Sequence, residues 1–265
     1  MRITSDLNSS DRFFTDLNGF QIQPRKTMPK LPLQANFYPM TTMAYIQNTS
    51  ARLTLLSGQS LGVASLKSGQ LEAIMDRRLM QDDNRGLGQG IQDNKITANS
   101  FRLLLEKRSQ LDESEKARPV SYPSLLSHVS SMYLNHPLIP MATSLDFETL
   151  SLSPFSPLAS SLPCDVHMVN LRTIQSKKEG VGPSDEAALI LHRRGFDCEF
   201  SNRNTGLLCM TTRGKILVEK LFSELTVGSI TPVSLSLMHT SDRGRSPKEI
   251  QLKPMEVSTY RVQLR

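Results

Sequence analysis

The densest chemistry in the chain lies in DRRLMQDDNRGLGQGIQDN, residues 76–94. This block holds Asp76, Arg77, Arg78, Asp82, Asp83, Arg85 and Asp93, with Gly86, Gly88 and Gly90 at alternate positions. Two neighbouring carboxylates invite comparison with the acid/base pair of a glycosidase. Adjacent residues of an extended chain point to opposite faces, however, so Asp82 and Asp83 do not easily flank one bond from the same side. Calcium is a poor fit as well, because DDNRGLGQG lacks the spacing and the closing glutamate of an EF-hand loop. Arginine has the better-defined role, since its rigid fork holds a carboxylate or a sugar hydroxyl without changing charge. The alternating glycines suggest backbone held close to something. On the residues alone two readings stand: a solvated loop neutralised by its own ion pairs, or a loop that reaches into a binding site from a rigid β scaffold.

The remaining reactive residues give no complete site. The five histidines, His128, His136, His167, His192 and His239, form neither HxH nor HExxH, and no GxSxG turn anchors a serine nucleophile. No catalytic and no metal-ligating residue is therefore assigned. The three cysteines, Cys164, Cys198 and Cys209, include no CxxC pair that would hold zinc. Their odd number sets no disulfide framework, but Cys198 and Cys209 are spaced to pair across a short hairpin in GFDCEFSNRNTGLLCM, a pairing that their Cα separation must permit. Asn8 in NSS and Asn48 in NTS fit the N-glycosylation rule and, in a secretory protein, belong on exposed loops. The net charge of +6, from 31 Lys+Arg against 25 Asp+Glu, is spread along the chain, and Trp is absent. Neither a nucleic-acid-binding signature nor an aromatic stacking platform is present. No run approaches the roughly 18 apolar residues of a membrane span, and MRITSDLNSSDRFF lacks the apolar region of a signal peptide.

The pattern around these residues is that of strands. The 265 residues suffice for one large domain or two small ones. Three stretches differ in character: residues 1–110, part of a large β-sandwich; 111–163, a Ser/Pro-rich excursion or linker; and 164–265, the remaining strands. In the first, ITSDL and FFTDLNGFQIQPR read as strands, with a tight turn at Asn18-Gly19. Pro24, Pro29, Pro32 and Pro39 oppose a helix over the adjoining residues. MTTMAYIQNT and ARLTLLS flank a turn at Asn48 to Ala51, and Leu53 and Leu55 share a face. QLEAIMDRRL is read as a strand with a charged end, and NSFRLLLEKR as a strand.

The middle stretch opens with the charge-rich RSQLDESEKAR. SYPSLLSHVSSMYLNHPLIPMA then mixes apolar and turn residues, and LSLSPFSPLASSLP is too rich in Ser and Pro to be one regular element. In the last stretch, CDVHMVNLRTIQ alternates Val166, Met168 and Asn170 against His167, Val169 and Leu171. EAALILHRRGF is a strand entering a turn at Gly195. GKILVEKLFSEL is the best helix candidate, with a strand and a short helical turn as the alternative. VGSITPVSLSLMHT reads as a strand region broken at Pro232. In LKPMEVSTYRVQLR, Met255 and Val257 share one face and Tyr260, Val262 and Leu264 the other. A bulge near Ser258 and Thr259 would reconcile the two runs. Many short strands with frequent turns specify an all-β fold of sandwich architecture.

Three long stretches, DRRLMQDDNRGLGQGIQDNK, FFTDLNGFQIQPRKTMPKLPLQANFYPMTTMAYIQ and RLTLLSGQSLGV, resemble the C-terminal region of glycoside hydrolase family 38. The likeness is to its Golgi α-mannosidase II branch, and especially to the second form of that branch, IIx. It covers the whole chain and is strongest over residues 1–110. It implies the C-terminal β domains of a multidomain enzyme, with a catalytic α/β domain and a three-helix bundle upstream. The complete enzyme is implied to be a type II membrane protein facing the Golgi lumen. It would trim α1,3- and α1,6-linked mannose from an N-glycan intermediate with retention, using an Asp nucleophile, a second Asp as acid/base and zinc on the sugar hydroxyls.

None of those groups matches a position here, so zinc is expected in the parent enzyme and not in this chain, which is expected to be inactive alone. What carries over is DRRL…DDxRG. Arg85 or Arg77 would be the arginine that reaches the edge of the active site and binds substrate, with Asp82 and Asp83 as orienting partners through charge-assisted hydrogen bonds. The implied partners are the N-glycan substrate, the missing N-terminal catalytic domain and a second copy in a homodimer of the parent; a membrane enters only through the parent's anchor. The secretory compartment also favours modification at Asn8 and Asn48 and a Cys198–Cys209 disulfide. Strand-like RITSDL directly after Met1 is expected of a chain that begins inside a domain, with the surface that meets the missing domains exposed. Two other readings compete. A free-standing β-sandwich that binds carbohydrate or protein lacks the Trp of a strong sugar platform. An independent hydrolase is opposed by the missing constellation.

Overall fold

A computed structural model describes the chain apart from residues 76–79, 81–83, 87, 91–94, 110–120, 145–155, 177–181, 201–204, 241–247 and 265. Two compact units result: Met1–Leu138 with Asp197–Leu207, and Ile139–Phe196 with Leu208–Arg265.

The first unit contains β1 (Arg2–Thr4), β2 (Arg12–Leu17), β3 (Gln21–Lys26), β4 (Tyr38–Met40), β5 (Met43–Gln47), β6 (Ala51–Ser57), β7 (Leu61–Ala64), β8 (Gln70–Ala73) and β9 (Phe101–Lys107). They form two antiparallel sheets, ordered β1-β8-β7-β4 and β3-β2-β5-β6-β9. Side chains alternate across a strand, so each strand offers one face to a core. Phe13, Ala44, Ile46, Leu53 and Leu55 from the larger sheet meet Met40, Val63, Leu71 and Ala73 from the smaller, which makes the pair a sandwich. Leu53 and Leu55 share that face as their spacing requires. The other face of the larger sheet buries Phe14, Ile22, Met43, Tyr45 and Leu56, with Leu134 of α1 (Leu125–Asn135) against them.

Local chemistry explains the corners. Asn18 and Gly19 have φ of 54° and 72°, and the Phe20 N–H donates to the Leu17 carbonyl at 3.1 Å, which is the primed turn that suits a twisted hairpin. The buried Asp16 carboxylate accepts from the backbone N–H groups of Gly19, Thr41, Thr42 and Met43 and so ties this turn to the start of β5. Pro24 lies in β3, an edge strand, where a missing ladder donor is tolerated.

The helix α1 departs from the mixed reading of SYPSLLSHVSSMYLN. Ser124 caps it, accepting from the Ser127 N–H at 3.0 Å. Its buried residues are Leu125, Ser127, His128 and Ser131. Three of the four are polar, so the inward face carries no apolar stripe for a periodicity search to find.

The second unit contains β10 (Val166–Gln175), β11 (Pro183–Arg193), β12 (Lys215–Leu217), β13 (Val227–Val233), β14 (Glu249–Gln251) and β15 (Val257–Leu264). Its sheet is ordered β10-β11-β15-β13, and β12 and β14 form a separate ribbon. Leu189, Leu191, Ile230, Tyr260 and Val262 of the sheet share one core with Ile216 and Ile250 of the ribbon. GKILVEK is β12 followed by a single 3-10 turn, Val218–Lys220, and not a regular helix. Pro232 does not break β13, which continues to Val233 on the sheet edge.

The bulge expected in β15 is also corrected. Val257 to Gln263 pair with β11 without interruption. Tyr260, Val262 and Leu264 face the core, and Val257 and Thr259 simply lie on the other face. The bulge that does switch faces is in β10, between Met168 and Asn170. Val166 and Met168 meet the core before it and Leu171 after it, so residues of opposite alternation share one side.

Candidate functional site

The charged block occupies the connection between β8 and β9. One stem of that connection is fixed to β7 and the other to the link between β6 and β7. The Ile74 N–H donates to the Gly62 carbonyl at 2.8 Å, and the Gly58 N–H donates to the Ser100 carbonyl at 3.0 Å. Gln59 Nε2 donates to Asn99 Oδ1. Ser57 Oγ donates to the Gln59 carbonyl at 2.7 Å, and Asn135 Nδ2, at the end of α1, donates to the Ser57 carbonyl at 3.3 Å. The loop therefore hangs from the corner where the chain passes from the larger sheet to the smaller, a rigid support of the kind binding loops use.

Between these stems, Asn84, Arg85 and Gly86 are exposed, and Met80 and Ile96 are exposed apolar side chains. Gly86 and Gly88 have φ of 131° and 65°, and a Cβ at either would meet nothing within 4 Å. Backbone conformation alone demands glycine there. The expectation of backbone pressed against a neighbour is not met within the described residues. Arg77, Asp82 and Asp83 lie outside those residues, as do Asp76, Arg78 and Asp93. The structure thus places Arg85 at the surface and leaves its expected carboxylate partners undescribed. Among the described residues, no three His, Cys, Asp or Glu side chains gather as a metal ion would require.

The most deeply buried ion pair among the described residues is one that the sequence pattern does not announce. Arg52, on β6, is fully buried with Asp197. Its Nη2 donates to Asp197 Oδ2 at 2.5 Å, Nη1 to the Tyr122 carbonyl at 2.9 Å and Nε to Gln47 Oε1 at 2.8 Å. The guanidinium lies 4.0 Å from the Tyr45 ring centroid and 4.4 Å from that of Phe200. Nearby, Arg108 pairs with Glu199 and donates to the Asn48 carbonyl. Burial raises the Glu106 carboxyl, against the lowering effect of its hydrogen bond from Ser124 and of Arg52. These contacts clamp Asp197–Phe200 onto the first unit. The partners are 145 residues apart, so no local signal could have found them.

That clamp also corrects the disulfide. Cys164 pairs with Cys209, with Cα atoms 5.3 Å apart, and Cys198 is not bonded to either. Asp197 and Glu199 are buried in the first unit, and Cys198 between them is exposed. Cys209 belongs to the second unit, where the Cys164 N–H donates to the Met210 carbonyl. The hairpin expected to join Cys198 to Cys209 does not form among the described residues, because the chain changes units between them.

Both sequons are described. Asn8 is exposed, and its Oδ1 accepts from the Ser10 N–H and from Ser68 Oγ, each at 3.2 Å. Asn48 is half-buried, and its Oδ1 accepts from the N–H groups of Ser50 and Ala51, each at 2.8 Å. No helix among the described residues is long and apolar enough to cross a membrane.

The described part of the first unit is thus an antiparallel sandwich with an arginine-bearing connection at one corner. Residues 1–85 match the glycosyl hydrolases family 38 C-terminal domain. Along its whole length the chain is 67% identical to human alpha-mannosidase 2, of which it covers 23%. It is 53% identical to mouse alpha-mannosidase 2x and 35% identical to Arabidopsis thaliana alpha-mannosidase 2, again over its whole length, covering 23% and 25% of them. Residues 1–85 are thus a glycosyl hydrolase family 38 C-terminal domain, and the chain as a whole is similar to alpha-mannosidase 2. It spans about a quarter of the length of these curated relatives. Identity to the 2x form is below identity to the human protein called 2, so the expected special likeness to the second form is not supported.

Proposed function

We propose that this chain is the C-terminal β region of a Golgi α-mannosidase that trims α1,3- and α1,6-linked mannose from N-glycans, and that it is inactive alone. The carrying observation is the 67% identity to human alpha-mannosidase 2 across the whole chain. In this reading the parent's upstream part holds the zinc and both catalytic carboxylates. The chain contributes one wall of the pocket: Arg85 or Arg77 binds a sugar hydroxyl through its planar fork, and Asp82 and Asp83 orient it. Supporting this reading is the position of Arg85, exposed on a loop whose stems are tied to the sandwich corner. A fixed cation at a pocket wall acts by positioning substrate and moves no proton.

The test has two arms. The purified chain, with zinc added, is expected to release no more product from an aryl mannoside than buffer does, and turnover comparable to the full-length enzyme would refute the assignment. In the full-length enzyme, Arg85→Ala and Arg77→Ala are made singly. One of them is expected to raise KM or lower kcat at least tenfold; unchanged kinetics in both would remove the loop from the active site.

A further inference from the structure

We propose that Asn8 is the attachment point of an N-linked glycan and that Asn48, the other sequon, stays bare. The two share the same short rule, and their surroundings separate them.

At Asn8 the side chain is exposed and both described contacts use Oδ1. Nδ2 is the atom that takes the sugar, and a substituted amide keeps its carbonyl oxygen and both of those contacts. The step is a transfer from a lipid-pyrophosphate-linked oligosaccharide. The Asn8 Nδ2 forms a bond to the sugar C1, the C1–O bond to pyrophosphate breaks, one Nδ2 proton is released, and the lipid pyrophosphate leaves.

Timing favours the same site. The contacts that hold this sequon in the fold come from far downstream: Ser68 Oγ accepts from the N–H groups of Ser9 and Ser10, and Ser9 Oγ accepts from the Gly69 N–H, 58 to 60 residues away. At about 5–20 residues per second of synthesis, several seconds pass before those partners exist. Asn48 is different. Its Oδ1 accepts from residues two and three positions on, and its own N–H donates to the Ala51 carbonyl at 3.0 Å. It is held inside the β5–β6 hairpin, a unit that forms on a scale of about 1–10 μs. Asn48 is also half-buried, whereas Asn8 is exposed. Asn8 also follows β1, the edge of the smaller sheet, where a bulky polar group would hinder strand addition by another molecule.

This inference rests on the secretory compartment of the proposed function, and the experiment separates the two. The 265-residue chain is translated behind a cleavable leader with microsomes that carry the lipid-linked donor. It is then read on a denaturing gel with and without an N-glycan amidase, so folding does not enter the readout. One glycan-sized step is expected, lost in Asn8→Gln and in Ser10→Ala and kept in Asn48→Gln. No step in the unaltered chain, a step that survives Asn8→Gln, or two steps would overturn the assignment. The leader forces entry here. A step in this assay with none on the native product in cells would therefore refute the compartment and leave the Asn8 assignment standing.

Discussion

Arg52 sits where a charge is hardest to keep. A guanidinium does not shed its proton, so a buried one must be paired and hydrogen-bonded. Asp197, Gln47, the Tyr122 carbonyl and two aromatic faces meet that demand. Arg52→Ala leaves Asp197 buried without its cation and is expected to cost about 3–5 kcal/mol. Hydrogen exchange of the β5 and β6 amides checks this; unchanged protection would show that the pair does not hold the unit together. His192, on β11, sets a pH dependence in the second unit. Burial first, and Arg194 second, hold its imidazole down to about 4, from 6.5. Between those values the unfolded chain binds the extra proton, so stability is complete above about pH 6.5 and falls as pH drops toward 4, by about 1–3 kcal/mol. Thermal midpoints of the second unit at pH 7, 5.5 and 4 should show the decline, and His192→Gln should flatten it. A midpoint that rose on acidification would contradict the sign.

At the scale of elements, the cross-link matters most. Cys164–Cys209 closes a 45-residue separation in the second unit, which the chain-entropy argument values at about 4 kcal/mol. Replacing both cysteines with serine is expected to lower the midpoint of that unit, whereas Cys198→Ser should leave it in place. A non-reducing peptide map that found Cys198 bridged to Cys209 would overturn the pairing. The elements that pattern reading recovered are those whose signal is local. Asn18-Gly19 made its turn, Leu53 and Leu55 shared their face, and NSFRLLLEKR became β9. The misses have physical causes as well. α1 turns serines inward, and β10 changes face through a bulge whose place depends on β11 opposite it. The charged block was legible in the sequence, but the direction in which its arginines point in space is not something that spacing encodes.

For the molecule as a whole, the open edge of the larger sheet carries a liability. Leu103 and Leu105 of β9 pair in register with Leu55 and Leu53, yet they are 55% and 72% exposed. Leu53 and Leu55 lie under the smaller sheet, and the two leucines of the edge strand do not. Exposed apolar side chains on an edge strand favour self-association. The chain alone is therefore expected to associate at micromolar concentration. Leu103→Lys with Leu105→Lys should reduce its light scattering several-fold; scattering unchanged by that pair would place the sticky surface elsewhere.

Residue order was enough to establish that this chain is all-β, that turns fall at Asn18-Gly19 and at Asn48, and that its long motifs are those of a family 38 C-terminal region. Each of these is written in neighbouring residues or in extended stretches of text. It took the packed chain to show that Asp197–Leu207 rejoins the first unit, that Arg52 finds Asp197, and that Cys164 rather than Cys198 bonds Cys209. Those outcomes depend on residues 45 to 145 positions apart being brought together. Burial, which leaves a charge no choice but its partner, selects them, and no local propensity does.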